Sequence, residues 1–183
     1  MHLLVTGSDG LLGADLCRSL DAAGFEVVAT SRRAVNPPPG IKTLTADLSN
    51  SDEVNKLFEG NNYDAVIHCA AVIKGNSHDD YYLNNVRATD NLAQCARKNG
   101  VSKFLFMSTI SVYVDQGPFC ETSELASTGD YAISKIISEH SLQLLASENF
   151  KVIVLRLAGL HGALRKNGVF YSMREAAAMG KPL

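Results

Sequence analysis

Six short apolar runs recur along this chain, and most are separated by stretches whose apolar residues return at helical spacing. The runs are HLLVT (2–6), EVVAT (26–30), IKTLTA (41–46), DAVIHCA (64–70), KFLFMST (103–109) and KVIVLRL (151–157). Each is short, apolar and bounded by turn residues, which is how a strand buried on both faces reads. GLLGADLCRSLDAAG (10–24), SDEVNKLFEG (51–60), DDYYLNNVRATDNLAQCARKNG (79–100) and residues 130–147 carry the helical pattern. Three of these stop at a glycine, and Ser51 stands where an N-cap is expected. NPPPG (36–40) fits neither a helix nor a central strand and marks a loop. Strands alternating with helices in this order predict an α/β fold: a doubly wound parallel sheet of Rossmann type, covered on both faces. There is no internal repeat and no low-complexity segment.

Composition narrows the function. With 46% hydrophobic and 20% charged residues, the balance is that of a globular domain, and 183 residues can bury a real core. A formal net charge of -2 leaves no electrostatic footprint for nucleic acid, and no basic run suggests a membrane surface. No apolar run is long enough to span a bilayer, and the first residues lead straight into a glycine turn rather than a signal peptide, so a cytoplasmic protein is expected. Cys17, Cys69, Cys95 and Cys120 are scattered without a C-x-x-C pair, which predicts free thiols rather than a disulfide framework or a metal site.

The glycine turn is T-G-S-D-G-L-L-G (6–13), lying between the first strand and the first helix. Such a turn lets a ligand approach the main chain, and the helix start offers free N–H groups and a positive dipole end to a pyrophosphate. A dinucleotide would therefore contact Gly7, Asp9, Gly10, Leu11, Leu12 and Gly13; an ordinary strand–helix turn is the other reading. The second strand runs into Ser31, Arg32 and Arg33. A NAD(H) site usually carries an acidic residue here for the ribose 2′-hydroxyl, whereas arginine suits a 2′-phosphate. NADP(H) is expected ahead of NAD(H), against the alternative of a solvated basic pair.

In GDYAISKIISEH, Tyr131 and Lys135 stand four residues apart, about one helical turn, and so share a face. An ammonium beside a phenol lowers the phenol's pKa toward the range useful for acid–base chemistry. The same spacing also occurs on plain exposed helices.

These segments, taken in order, resemble the extended short-chain dehydrogenases/reductases, the NAD(P)-dependent epimerase/dehydratase group, over residues 2–162. The carrying motifs are T-G-x-x-G-x-x-G (6–13), Asp47-Leu48, H-C-A-A (68–71), L-N-N-V-R-A-T-D-N-L (83–92), M-S-T-I-S-V-Y (107–113) and Y-A-I-S-K (131–135). The resemblance implies that Asp47 and Leu48 cap the adenine and that Cys69, Ala70 and Ala71 line the cofactor. It implies that Asn85 supports the active site and that Thr109 is the catalytic hydroxyl; alternation along an extended strand then turns Ser108 to the opposite side. It makes Tyr131 the proton carrier and Lys135 the residue that lowers its pKa and holds the nicotinamide ribose. Hydride exchange at a secondary alcohol or ketone of a small-molecule substrate follows, with nucleotide sugars the first class to test. It also implies a homodimer through helices 79–98 and 130–147.

Three departures lie in L-R-L-A-G-L-H-G-A (155–163): Leu157 and Ala163 replace prolines and His161 replaces a tyrosine. His161 is expected to be structural, beside the cofactor. Gly159 stands where UDP-galactose epimerases often carry asparagine, which leans toward reduction of a small non-nucleotide carbonyl compound. A non-catalytic NADP(H)-binding sensor is the third reading. The resemblance divides the chain into a dinucleotide-binding domain (1–162) and the start of a largely missing substrate region (163–183), opening with a helix at about 168–179.

Overall fold

The computed structural model describes residues 1–33, 40–114, 117–162 and 169–180. Six strands form one parallel sheet: β1 (His2–Thr6), β2 (Glu26–Ser31), β3 (Lys42–Thr45), β4 (Ala65–His68), β5 (Lys103–Thr109) and β6 (Lys151–Leu157), ordered β3-β2-β1-β4-β5-β6. The helices are α1 (Leu11–Ala22), α2 (Ser51–Phe58), α3 (His78–Tyr81), α4 (Ala88–Lys98), α5 (Asp130–Leu145) and α6 (Val169–Ala178). The strand order reverses beside β1, so the crevice for a ligand opens at the carboxyl ends of β1 and β4. The expected loop at 36–39 and the departure at Ala163 lie outside the described residues.

Strand side chains alternate between two apolar layers, as a period of two requires. Leu4, Val28, Val66, Phe104 and Phe106 face α2, α4 and α5, while Leu3, Val5, Val27, Ala29, Ala65 and Ile67 face α1. Among the described residues the sheet is not covered equally on both faces. On β6, Ile153 and Leu155 remain 41% and 38% exposed, because they lie on the α1 side of the edge strand, away from α5. The sheet's last strand therefore alternates where burial on both faces was expected.

Two further details differ from the sequence reading. The cap of α2 is Asn50, whose side chain accepts the Asp52 N–H at 3.0 Å, so Ser51 is the first helical residue and not the cap. The single helix expected over 79–100 is broken by a π-turn at Tyr82–Arg87 between α3 and α4. Such turns widen the helix by one residue and frequently sit at functional sites.

Two buried polar networks tie the layers together. His68 is fully buried and hydrogen-bonded to Thr6 Oγ1 at 2.7 Å through Nδ1 and to Thr89 Oγ1 at 2.9 Å through Nε2, linking β4, β1 and α4. Burial, helped by the nearby Lys135 charge, pushes its pKa down to about 3 and keeps it neutral. The second network centres on Glu139, fully buried on α5. Its carboxylate accepts the Ser108 hydroxyl and two Arg156 donors, Nη2 at 2.8 Å and Nε at 3.2 Å. Arg156 Nη1 continues to Tyr113 Oη and the Glu121 carbonyl, both at 2.9 Å. The guanidinium thus joins α5, β6 and the loop beyond β5.

Replacing Glu139 with Ala should destabilise the fold by about 3–5 kcal/mol, because it leaves a largely buried guanidinium without its partner. Urea unfolding reads this directly, and a loss below about 1 kcal/mol would contradict it. The His68 shift fixes the sign of an acid effect. Its folded pKa lies below the ordinary 6.5, so its contribution is complete above that value and lost as pH falls toward 3. Between about pH 6 and about pH 4 the wild type should lose up to about 1.4 kcal/mol per pH unit relative to His68→Gln. A constant gap between the two proteins across that range would refute the buried, neutral assignment.

Candidate functional site

The turn after β1 packs against itself and against β4 too closely for side chains at two positions. A Cβ on Gly13 would stand 2.2 Å from the Gly7 carbonyl oxygen, and one on Gly7 would stand 2.7 Å from Ala70 N. Gly7 also has a φ of 67°, in the left-handed region. This packing brings the first turn of α1 to the strand ends. The N-cap, Gly10, supplies no side-chain hydrogen bond, and the first helix bond runs from Ala14 N–H to the Gly10 carbonyl. The N–H groups of Leu11, Leu12 and Gly13 therefore have no partner within the helix.

Beside the turn lies a cavity of about 250 Å³ lined by Gly7, Asp9 and Gly10, by Ser31 and Arg32, by Asp47 and Leu48, and by Cys69, Ala70 and Ala71. These segments are far apart in sequence and converge because β1, β2 and β4 are neighbours and β3 flanks β2. Ser8 Oγ in the turn and Thr30 Oγ1 on the cavity wall are buried without a hydrogen-bond partner among the described residues. Unpaired buried hydroxyls, unpaired helix N–H groups and a near-naked main chain fit the phosphates and ribose of a dinucleotide. The wall also contains Thr30, Ala46, Val72, Asn84 and Ala88, which the motifs do not single out.

Not every expected cofactor residue lines this cavity. Leu11, Leu12 and Gly13 are at the helix start beside it, and Arg33 is exposed, with its carbonyl accepting the Ser31 hydroxyl at 2.6 Å. Ser31 thus spends its proton on its own loop, which leaves Arg32 as the cation of the trio on the wall. Asp47 likewise turns its Oδ1 to the Ser49 N–H and hydroxyl. Cys17, Cys69, Cys95 and Cys120 are all free thiols, and burial pushes Cys69 up to about 12.

Tyr131 and Lys135 stand on α5, outside the cavity's lining. Lys135 is fully buried; its Nζ donates to the Met107 carbonyl at 2.8 Å and lies 4.4 Å from the Phe106 ring centroid and 5.9 Å from that of Tyr131. Burial draws its pKa down to about 8, opposed by Cys69 and Glu139. The expected lowering of the Tyr131 phenol is not what the structure has. Burial raises it above its ordinary value, and Lys135, whose Nζ donates to the Met107 carbonyl and lies 5.9 Å from the Tyr131 ring centroid, does not reverse that.

The two hydroxyls at the end of β5 separate as the alternation requires. Ser108 is buried toward Glu139, while Thr109 is half-exposed and caps the next 3-10 turn, Ile110–Val112, by accepting the Ser111 N–H at 3.2 Å. Lys135 reaches β5 two residues before Thr109, so the three residues share one end of the strand–helix layer. Asn85 is buried in the π-turn. Its Oδ1 accepts the Val72 N–H at 2.7 Å, and its Nδ2 donates to the Val72 carbonyl at 3.0 Å and to Ser134 Oγ at 2.9 Å. These contacts make it a positioning residue that stitches the loop after β4 to α5. His161 packs edge-on against Phe170 of α6, with ring centroids 4.2 Å apart, and does not line the cavity.

Comparison with known proteins agrees with this layout. The family model for the NAD dependent epimerase/dehydratase family matches residues 3–183. UDP-glucose 4-epimerase of Bacillus subtilis (strain 168) is 34% identical over 182 residues, covering 89% of this chain and 54% of that protein. UDP-glucose 4-epimerase 3 of Oryza sativa subsp. japonica is 30% identical over 190 residues, covering 91% and 51%. The chain spans about half the length of these curated relatives. The solved structure of MoeE5 in complex with UDP-glucose and NAD superposes with a TM-score of 0.85 at 26% identity, covering 100% of this chain and 63% of that one. By its fold and these matches, the chain belongs to the NAD dependent epimerase/dehydratase family.

Proposed function

We propose that this chain is the cofactor-binding part of an oxidoreductase or epimerase that exchanges hydride at a secondary alcohol or ketone carbon of a nucleotide sugar. The observation that carries the reading is the convergence of the glycine turn, Asp47–Leu48 and Cys69–Ala71 on one cavity, with Lys135 on α5 fastened to the end of β5 at the Met107 carbonyl. Nucleotide sugars are favoured because the relatives are named UDP-glucose 4-epimerases and MoeE5 was solved with UDP-glucose. MoeE5 was solved with NAD. Here, Arg32 without an acidic neighbour on the cavity's β2 wall favours NADP(H).

A bound nicotinamide supplies the hydride acceptor or donor. The protein's part is to move a proton and hold charge. Tyr131, its phenol raised by burial, is protonated near neutral pH and suited to give a proton to a developing alkoxide. Lys135, brought down to about 8, is mostly charged near neutral pH and loses that charge just above it. Its ammonium lies on the Tyr131 side of α5 and stabilises negative charge there. Thr109, whose exposed hydroxyl donates to the neighbouring Ser111 Oγ at 3.2 Å, can turn that donor to the substrate oxygen. Ser108 does not, because its proton is committed to Glu139.

The test is Tyr131→Phe, assayed with UDP-glucose and UDP-galactose and titrated with NADPH and NADH. Turnover should fall at least about 100-fold with dinucleotide affinity within about twofold of wild type. A variant that retains turnover would remove Tyr131 from the chemistry. A wild type that binds dinucleotide tightly yet turns over neither sugar would favour the sensor reading.

A further inference from the structure

Asn84 was singled out by none of the sequence motifs, yet it holds Arg32, the arginine that lines the cavity among the described residues. Arg32 Nη1 donates to Asn84 Oδ1 at 2.5 Å, a bond between residues 52 apart that crosses from the end of β2 to the π-turn. Both side chains line the cavity, so the bond spans its mouth. The asparagine is itself fixed: its Nδ2 donates to the Asp80 carbonyl at 2.7 Å, one turn back, and this leaves Oδ1 pointing at the guanidinium.

The chemistry of that contact is specific. An amide oxygen accepts a hydrogen bond without cancelling charge, so Arg32 keeps its full positive charge and its remaining N–H donors. Among the described residues Arg32 forms no ion pair. Of its neighbours on the wall, Ser31 donates its hydroxyl to the Arg33 carbonyl and Asp47 turns Oδ1 to the Ser49 N–H and hydroxyl. An exposed arginine would otherwise sample many rotamers, and ordering it on binding weakens affinity. Asn84 and Asn85 are adjacent in the π-turn yet have different partners, Asn84 toward β2 and Asn85 toward Val72 and α5.

We infer that Asn84 is a positioning residue for cofactor choice: it holds Arg32 across the cavity mouth, ready for the 2′-phosphate of NADP(H). This rests on the NADP(H) reading above.

The experiment titrates wild type, Arg32→Ala, Asn84→Ala and Asn84→Asp with NADPH and with NADH, following nicotinamide fluorescence, with thermal unfolding of each variant alongside. Wild type should prefer NADPH, and Arg32→Ala should abolish that preference. Asn84→Ala should weaken NADPH about three- to tenfold and leave NADH unchanged, the cost of ordering one freed side chain. Asn84→Asp keeps the side chain's size but pairs Arg32 with a carboxylate that also repels phosphate. It should weaken NADPH more than Asn84→Ala, again sparing NADH. A general structural defect would move both dinucleotides together. If wild type prefers NADPH and both Asn84 variants keep that preference in full, the role of Asn84 is refuted while the NADP(H) reading stands. If wild type shows no preference and Arg32→Ala changes nothing, the NADP(H) reading itself fails and takes the inference with it.

Discussion

The missing side chains of Gly7 and Gly13 are the constraint on which the candidate site depends. With Gly13 seated on the Gly7 carbonyl and Gly7 pressed against Ala70, the α1 N-terminus can lie no farther from the strand ends than main chain allows. Any larger residue would drive the helix away from β4 and separate the unpaired N–H groups from Cys69–Ala71. The buried chain from Thr6 through His68 to Thr89 sets the same geometry from below, since Thr6 also accepts the Ala70 N–H at 3.3 Å. The cleft is thus held by close contact above the sheet and by hydrogen bonds within it.

The other half of the site depends on α5, which is fastened to β5 at two successive turns. Lys135 bonds the Met107 carbonyl, and Glu139 bonds Ser108 and Arg156. Burying an ammonium and a carboxylate is costly, and each offsets the loss by finding a partner: a carbonyl and an aromatic face for one, a guanidinium and a hydroxyl for the other. Because the partners are main chain or well-packed side chains, Tyr131 and Lys135 hold their places without a ligand. Through Arg156 this clamp extends to Tyr113, which stacks on Phe119 at 4.5 Å, and so to the loop that follows Thr109.

The alternation of apolar runs, the glycine turn and the Tyr131–Lys135 spacing were all legible in the sequence, because each depends on local chain geometry. What escaped it depends on partners distant in sequence. Glu139 stands four residues beyond Lys135, a spacing visible in principle, but its role comes from Arg156 on β6. Asn84 could not be found by helical phase, since the π-turn breaks the period from which its direction would be read. The electrostatics of Tyr131 were misread for a related reason. Proximity of a lysine lowers a phenol only when burial does not outweigh it, and here the burial of Tyr131, set by residues distant in sequence, decides the balance. The open face of β6 likewise depends on which helices reach the sheet's edge.

The most direct test of the account is a nitrogen-15 NMR titration of the folded chain with NADPH. The amides of Leu11, Leu12 and Gly13 and the Arg32 side-chain resonance should shift with a single affinity, because the account seats pyrophosphate at the α1 N-terminus and the 2′-phosphate at the cavity mouth. Saturable binding that leaves the glycine-turn amides unmoved, with the largest shifts along β6 or the Tyr113–Phe119 loop, would contradict it.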